Sequence, residues 1–165
     1  NDPHIIKYDD DKLVLLDIVK REVVYKKYRH DAVQNWARHL GIEAKELRLK
    51  FDTWLEFYAW YKEASNDMSI EEEGYVFEDS RANDADGTYS NGFMFKMKLP
   101  YYVFWKQMRG VKDSVARRRH INTSALRTAQ HNRVYNFMNS LDPNELKELD
   151  IIAIREKMQE RCRWT

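Results

Sequence analysis

A chain of 165 residues with 28 basic, 27 acidic and 43% hydrophobic side chains has room for one ordinary domain or two very small ones. Its net charge of +1 conceals a separation: 12 basic against 12 acidic side chains in residues 1–64, 1 against 8 in 65–95, and 15 against 7 in 96–165. A single cysteine, Cys162, excludes a disulfide-stapled mini-domain and predicts a reducing compartment. No run reaches the roughly 18 apolar residues of a membrane span, and residues 1–12 lack the basic-then-apolar order of a signal peptide. A soluble chain with no membrane partner is therefore expected, and a start at Asn rather than Met leaves room for flanking segments.

In residues 11–28, Leu13, Leu16, Val19, Val23 and Val24 recur near one side of a helix that would begin after Asp9, Asp10 and Asp11, where carboxylates suit a helix dipole. A second helix is expected over residues 31–40, with Ala32, Val33, Trp36 and Leu40 inward and Gly41 as its stop. The third, over residues 43–64, has two apolar faces. Leu47, Phe51, Trp54, Tyr58 and Tyr61 recur at helical spacing on one, and Leu49, Phe57 and Trp60 fall on another. These three helices predict a core of Leu16, Val19, Trp36, Leu40, Leu47, Phe51 and Trp54.

Residues 65–91 turn acidic. Asn83, Asp84, Asp86 and Gly87 look like a calcium loop, but the count places Ala82 and Phe93 where oxygen ligands are required, so a solvated turn is the better reading. Tyr75, Val76 and Phe77 and residues 93–97 are β-favouring. They can form a short hairpin, or an extended segment lying across the second face of the third helix. Pro100 opens a further helix whose stripe of Tyr101, Phe104, Trp105 and Met108 is core material, sized to cover Leu49, Phe57 and Trp60. Arg117, Arg118 and Arg119 read as an import signal or phosphate clamp on one side and a solvated surface on the other. Asp142, Pro143 and Glu145 have the order of a helix start. The basic end can pair with the acidic middle of the chain or meet a polyanion.

Residues 137–143, FMNSLDP, then Leu146, Leu149 and Ile154-Arg155-Glu156-Lys157-Met158-Gln159, resemble the BESS motif of insect chromatin proteins. Leu16, Val19, Val24-Tyr25, Trp36, Leu40-Gly41, Leu47, Lys50-Phe51, Trp54 and Tyr58 are similar to the MADF domain, a relative of Myb and SANT three-helix DNA-binding domains. The resemblance implies a mainly α fold: a MADF-like three-helix bundle over 9–64, an acidic loop or short β-hairpin over 65–98, an aromatic helix and basic linker over 99–131, and a BESS-like interaction motif over 132–163.

It also implies a nuclear transcriptional regulator that binds double-stranded DNA through Lys45, Arg48, Lys50 and Arg38, with Arg117, Arg118 and Arg119 on phosphate. Val134, Phe137, Met138, Leu141, Leu146, Leu149, Ile152 and Met158 would serve self-association or another BESS or chromatin protein. Residues 43–64, however, carry four basic against five acidic side chains, which favours as an alternative a chromatin-associated adaptor whose MADF-like domain reads protein rather than DNA. His4, His30, His39, His120 and His131 show no metal-ligand spacing, and no phosphate loop or nucleophile elbow is present. Neither an enzyme nor a bound cofactor is expected.

Overall fold

The structure, a computed structural model, describes residues 4–79, 87–90, 93–121, 124 and 126–163. Among them lie six helices and seven short strands, a mixed α/β arrangement rather than a Myb-like bundle. The chain forms two compact units, one from the described residues of 8–62 and 75–97, the other from those of 1–7, 63–74 and 98–165.

The helix expected over residues 11–28 does not form. Its β-branched residues take extended backbone instead, as crowding at Cβ favours. Strand β1 (Val14–Leu15) pairs in parallel with β4 (Glu43–Ala44), while β2 (Val19–Lys20) runs antiparallel to β3 (Lys26–Tyr28), which pairs in turn with β6 (Thr88–Ser90). The helical spacing of Leu13, Leu16 and Val23 was coincidental, and all three are exposed.

Helix α1 (His30–Leu40) has the expected limits, closed by Gly41 in the left-handed region at φ 69°. The N–H groups of Gly41 and Ile42 donate to the carbonyls of Arg38 and Ala37 at 3.3 and 3.0 Å. It buries Val33 and Ala37, not Trp36, which is 52% exposed.

The long third helix is shorter than its periodicity suggests: α2 spans Trp54–Ala64. Glu43 and Ala44 belong to a strand, and α2 is started by a capping box. Thr53 Oγ1 accepts the Glu56 N–H at 3.2 Å, and Glu56 Oε2 accepts those of Asp52 and Thr53 at 2.9 and 3.2 Å. Of the face expected to be core, Leu47, Trp54, Tyr58 and Tyr61 are exposed, Trp54 to 69%, and only Phe51, ahead of the helix, is packed. The other face is covered. Strands β5 (Gly74–Glu78) and β7 (Met94–Lys98) pair with each other. Backbone bonds from Leu99 N–H to Glu73 and from Asp79 N–H to Phe93, at 3.0 and 2.9 Å, make the pair antiparallel and set Phe77 across from Phe95. Those two rings stack at 5.1 Å, and Phe57 meets both, at 5.0 and 5.6 Å. Phe51 and Trp60 complete the cluster. The hairpin and the extended segment across the second helix face are thus one object. The acidic loop at 80–86, with Asn83, Asp84 and Asp86, lies outside the described residues.

In the other unit α3 (Pro100–Ala116) begins at Pro100 as expected, but its stripe covers neighbours in its own unit. Tyr101, Phe104, Trp105 and Met108 pack against residues of α4 (Ala129–Asn139), α5 (Pro143–Glu148) and α6 (Ile151–Arg163). Asp142 caps α5 by accepting the N–H groups of Asn144 and Glu145 at 2.9 and 3.3 Å, with Pro143 behind it. Arg155 is buried in this core. Its Nη1 donates to the Ile5 carbonyl at 3.0 Å, and its guanidinium sits 5.3 and 5.4 Å from the Tyr101 and Trp105 rings.

His131 joins α3 to α4. Its ring lies 4.7 Å from Phe104, Nε2 reaches Gln107 Oε1 at 3.2 Å, and Nδ1 reaches Thr128 Oγ1 at 2.7 Å. With Nε2 protonated and Nδ1 accepting, a neutral imidazole satisfies both contacts. Burial lowers its pKa from the ordinary 6.5. A depressed histidine contributes stability above its unfolded value, lost as pH falls from there through the folded value. Denaturant midpoints should therefore fall between pH 7 and pH 5, and His131→Gln should flatten that fall; an unchanged profile in the variant would remove His131 as the cause.

Candidate functional site

Two lysines and two carboxylates converge in the unit formed by residues 8–62 and 75–97. Lys27 is the central residue of β3, paired with Val19 on one side and Tyr89 on the other, and its alternation sends the side chain inward to 3% exposure. Lys45 follows β4 and is fixed by its N–H on the Leu15 carbonyl at 2.9 Å. Asp17 stands between β1 and β2, and Glu78 ends β5. Because Phe77 faces the aromatic cluster, strand alternation puts Glu78 on the opposite side of the ribbon. Met94, across from it, brings its sulfur to 4.0 Å from Lys27 Nζ. Lys96, two residues on, shares that face and is exposed.

Each lysine contacts both carboxylates. Lys27 Nζ lies 2.7 Å from Glu78 Oε1 and 3.6 Å from Asp17 Oδ1; Lys45 Nζ lies 2.8 Å from Glu78 Oε1 and 2.9 Å from Asp17 Oδ1. Lys27 forms the floor, while Lys45, Asp17 and Glu78 each keep about a quarter of their side chains in solvent. For Lys45, burial pulls the pKa down, but hydrogen bonds to Glu78 and Asp17 and their charges outweigh it, so the group lies above its ordinary value and is an ammonium at neutral pH. The four side chains carry two formal positive and two formal negative charges, and Lys45, Asp17 and Glu78 are the ones that reach solvent. Among the described residues no three His, Cys, Asp or Glu side chains converge on a metal.

Of the residues expected to touch DNA, only Lys45 enters this cluster. Arg38 donates to Asn35 on the surface of α1, Arg48 lies 3.3 Å from Glu46, and Lys50 lies 3.9 Å from Asp52. Arg48 and Lys50 sit on non-helical chain before α2, so no recognition helix arrays them. Arg117, Arg118 and Arg119 lie at the C-terminal end of α3. Val134, Met138, Leu141 and Leu146, expected to bind another protein, are buried against α3, and Phe137, Leu149, Ile152 and Met158 pack partly around the same core. Asp17, Lys27 and Glu78 were missed. The signal for Glu78 was present, since Tyr75-Val76-Phe77-Glu78 in a strand separates a glutamate from its aromatic neighbours. Lys27 carries no comparable signal, because Lys26-Lys27 in sequence looks like solvated charge.

A family model described as RNA ligase matches residues 1–102, a stretch that contains Asp17, Lys27, Lys45 and Glu78. No curated protein and no solved structure matches the chain. The match overturns the MADF and BESS resemblance, and with it the transcriptional regulator, the chromatin adaptor and the expectation that the chain is no enzyme. The strands found where the first MADF helix was expected agree with that correction. More than half of its length is matched, and the chain belongs to the RNA ligase family.

Proposed function

We propose that this chain serves the sealing of RNA ends and that the Asp17, Lys27, Lys45 and Glu78 cluster is where a reacting phosphate is held. The observation that carries the reading is a buried lysine and a half-buried one, bridged by the same two carboxylates, inside the stretch matched by the RNA ligase family.

Sealing joins a 3′-hydroxyl to a 5′-phosphate that a nucleoside triphosphate has activated: the new P–O bond forms as the bond from phosphorus to the activating group breaks, the hydroxyl proton passes to solvent, and negative charge builds on the phosphate oxygens. Two preorganised ammonium groups suit that charge, and a partly water-excluded site strengthens their effect. Asp17 and Glu78 hold both lysines in place, and their charges keep Lys45 an ammonium. Condensation of a phosphate monoester with an alcohol is uphill in water, so the reaction draws on a nucleoside triphosphate. The chain's own part in that is to bind phosphate, for which Lys45 and the exposed Lys96 are the accessible cations.

The test uses RNA with a labelled 5′-phosphate and a free 3′-hydroxyl, incubated with the protein and each nucleoside triphosphate in turn. Label that becomes resistant to phosphatase is the expected result. Label that stays sensitive with every triphosphate, while the RNA remains bound, would remove the reading.

A further inference from the structure

The C-terminal end of α3 and the start of α5 enclose a groove of about 670 Å³ lined by Arg117, Arg118, Lys147, Asn144 and Asp142. Lys112 Nζ donates to the carbonyl of Lys147 at 3.4 Å. Arg119 follows directly in the chain. None of Arg117, Arg118, Arg119 and Lys147 has a carboxylate partner among the described residues. Two of the acids nearby are already engaged, while Asp113 and Glu148 are neighbours in the chain that make no ion pair with these cations. Asp142 accepts the N–H groups that start α5, and Glu145 lies 2.6 Å from Lys157.

The backbone at this place is also out of the ordinary. Arg118 has φ 50°, the one non-glycine residue with positive φ among those described. Its N–H donates to Val115 at 3.0 Å and that of Arg119 to Ser114 at 2.9 Å, the paired bonds of a helix end at which glycine is the favoured residue. A β-carbon in that conformation is strained, and strained backbone gathers where function holds it. An arginine is kept where glycine would fit better, which makes its charge the feature to explain.

We infer that this groove grips the sugar–phosphate backbone of the RNA substrate, as a contact separate from the charge cluster of the other unit. The inference rests on the RNA ligase reading for the identity of the polyanion. Unpaired arginine and lysine in a concave surface with no aromatic wall suit phosphates rather than bases, so the grip fixes position without reading sequence.

The experiment measures anisotropy of fluorescein-labelled single-stranded RNA with the wild type, with Arg118→Gly, and with Arg117→Ala/Arg118→Gly/Lys147→Ala, across a salt series. With about 0.7 per phosphate in the salt slope of single strands, the triple variant should lose about 2 from the slope and bind about tenfold more weakly. Arg118→Gly should bind more weakly while its melting temperature rises, a pair of opposite changes that poor folding does not give. A triple variant with wild-type affinity and slope overturns the inference, as does a wild type that binds no RNA. Displacement of the RNA by polyglutamate at equal charge would reassign the groove to acidic protein and overturn it too. In a sealing assay, loss concentrated in KM for RNA supports the groove, and an unchanged KM overturns it alone. A protein that binds RNA through the groove yet seals nothing loses the ligase reading and keeps the groove.

Discussion

Lys27→Met should lower RNA sealing by about a hundredfold or more, because the buried Lys27 holds the Asp17 and Glu78 carboxylates that aim Lys45, and one preorganised electrostatic contact to a developing oxyanion acts on that scale. The same change should destabilise the fold by about 2 kcal/mol. Breaking a buried ion pair costs about 3–5 kcal/mol, but Asp17 and Glu78 keep part of their surface in water, which lowers the penalty. Glu78→Gln added to Lys27→Met removes the repulsion left between the two carboxylates. The double variant should regain much of the stability and none of the activity. Denaturant melts and sealing rates of the three proteins decide it, and activity that returns together with stability would make Lys27 structural only. The cluster's dependence on pH has a defined sign. Lys45 is raised above its ordinary value, so its contribution is whole at neutral pH and drains only as pH climbs beyond that value through the folded one.

The parts of the fold that were legible in sequence are those fixed by local chemistry. Gly41, Pro100 and the order Asp142-Pro143-Glu145 each set a helix boundary by a stereochemical constraint that tertiary context does not alter. Thr53 and Glu56 belong to the same class, and a capping box read there would have cut the helix expected over residues 43–64 to its true length. What periodicity supplied was less secure. Leu13, Leu16, Val19 and Val23 satisfy a helical spacing, yet Val14, Ile18, Val19, Val23 and Val24 are β-branched, and residues 14–20 lie in or between two strands. The face of α2 that appeared to be core is exposed and the other is packed, because strand pairing, a non-local event, chose which side the β5–β7 ribbon covers.

The site was less legible than the fold for a related reason. Asp17, Lys27, Lys45 and Glu78 are brought together by three separate strand pairings, and no two of them lie within helical reach of one another in sequence. Lys45 was singled out for its charge on a recognition helix that does not exist, so its presence in the cluster owes nothing to that argument. Arg117, Arg118 and Arg119 were visible as a triplet, and the backbone geometry that distinguishes them from ordinary surface charge was not, since a positive φ at an arginine leaves no trace in sequence.

Trp105→Ala should be the most damaging single substitution in the helical unit, at about 4 kcal/mol, within the range for removing a buried tryptophan. The indole is 6% exposed, meets Phe104 edge-on at 5.2 Å and Tyr101 at 6.4 Å, and provides one of the two rings beside the Arg155 guanidinium. Two contributions compete for the credit. Burial of so large a side chain is worth about 3 kcal/mol or more, whereas a desolvated cation–π contact is worth about 2 kcal/mol. The apolar contribution should therefore lead, and Arg155→Met should cost less than Trp105→Ala, since an apolar chain of similar reach also removes a buried charge that has no carboxylate partner among the described residues. Denaturant unfolding followed by helical circular dichroism orders the two variants. If Arg155→Met costs more, the guanidinium and its bond to Ile5 organise this core, and Trp105 is one of the walls built around a cation. Against the 5–15 kcal/mol by which domains are typically stable, a loss of about 4 kcal/mol leaves α3 without the packing that seats α4, α5 and α6, and the groove at its C-terminal end would be lost with them.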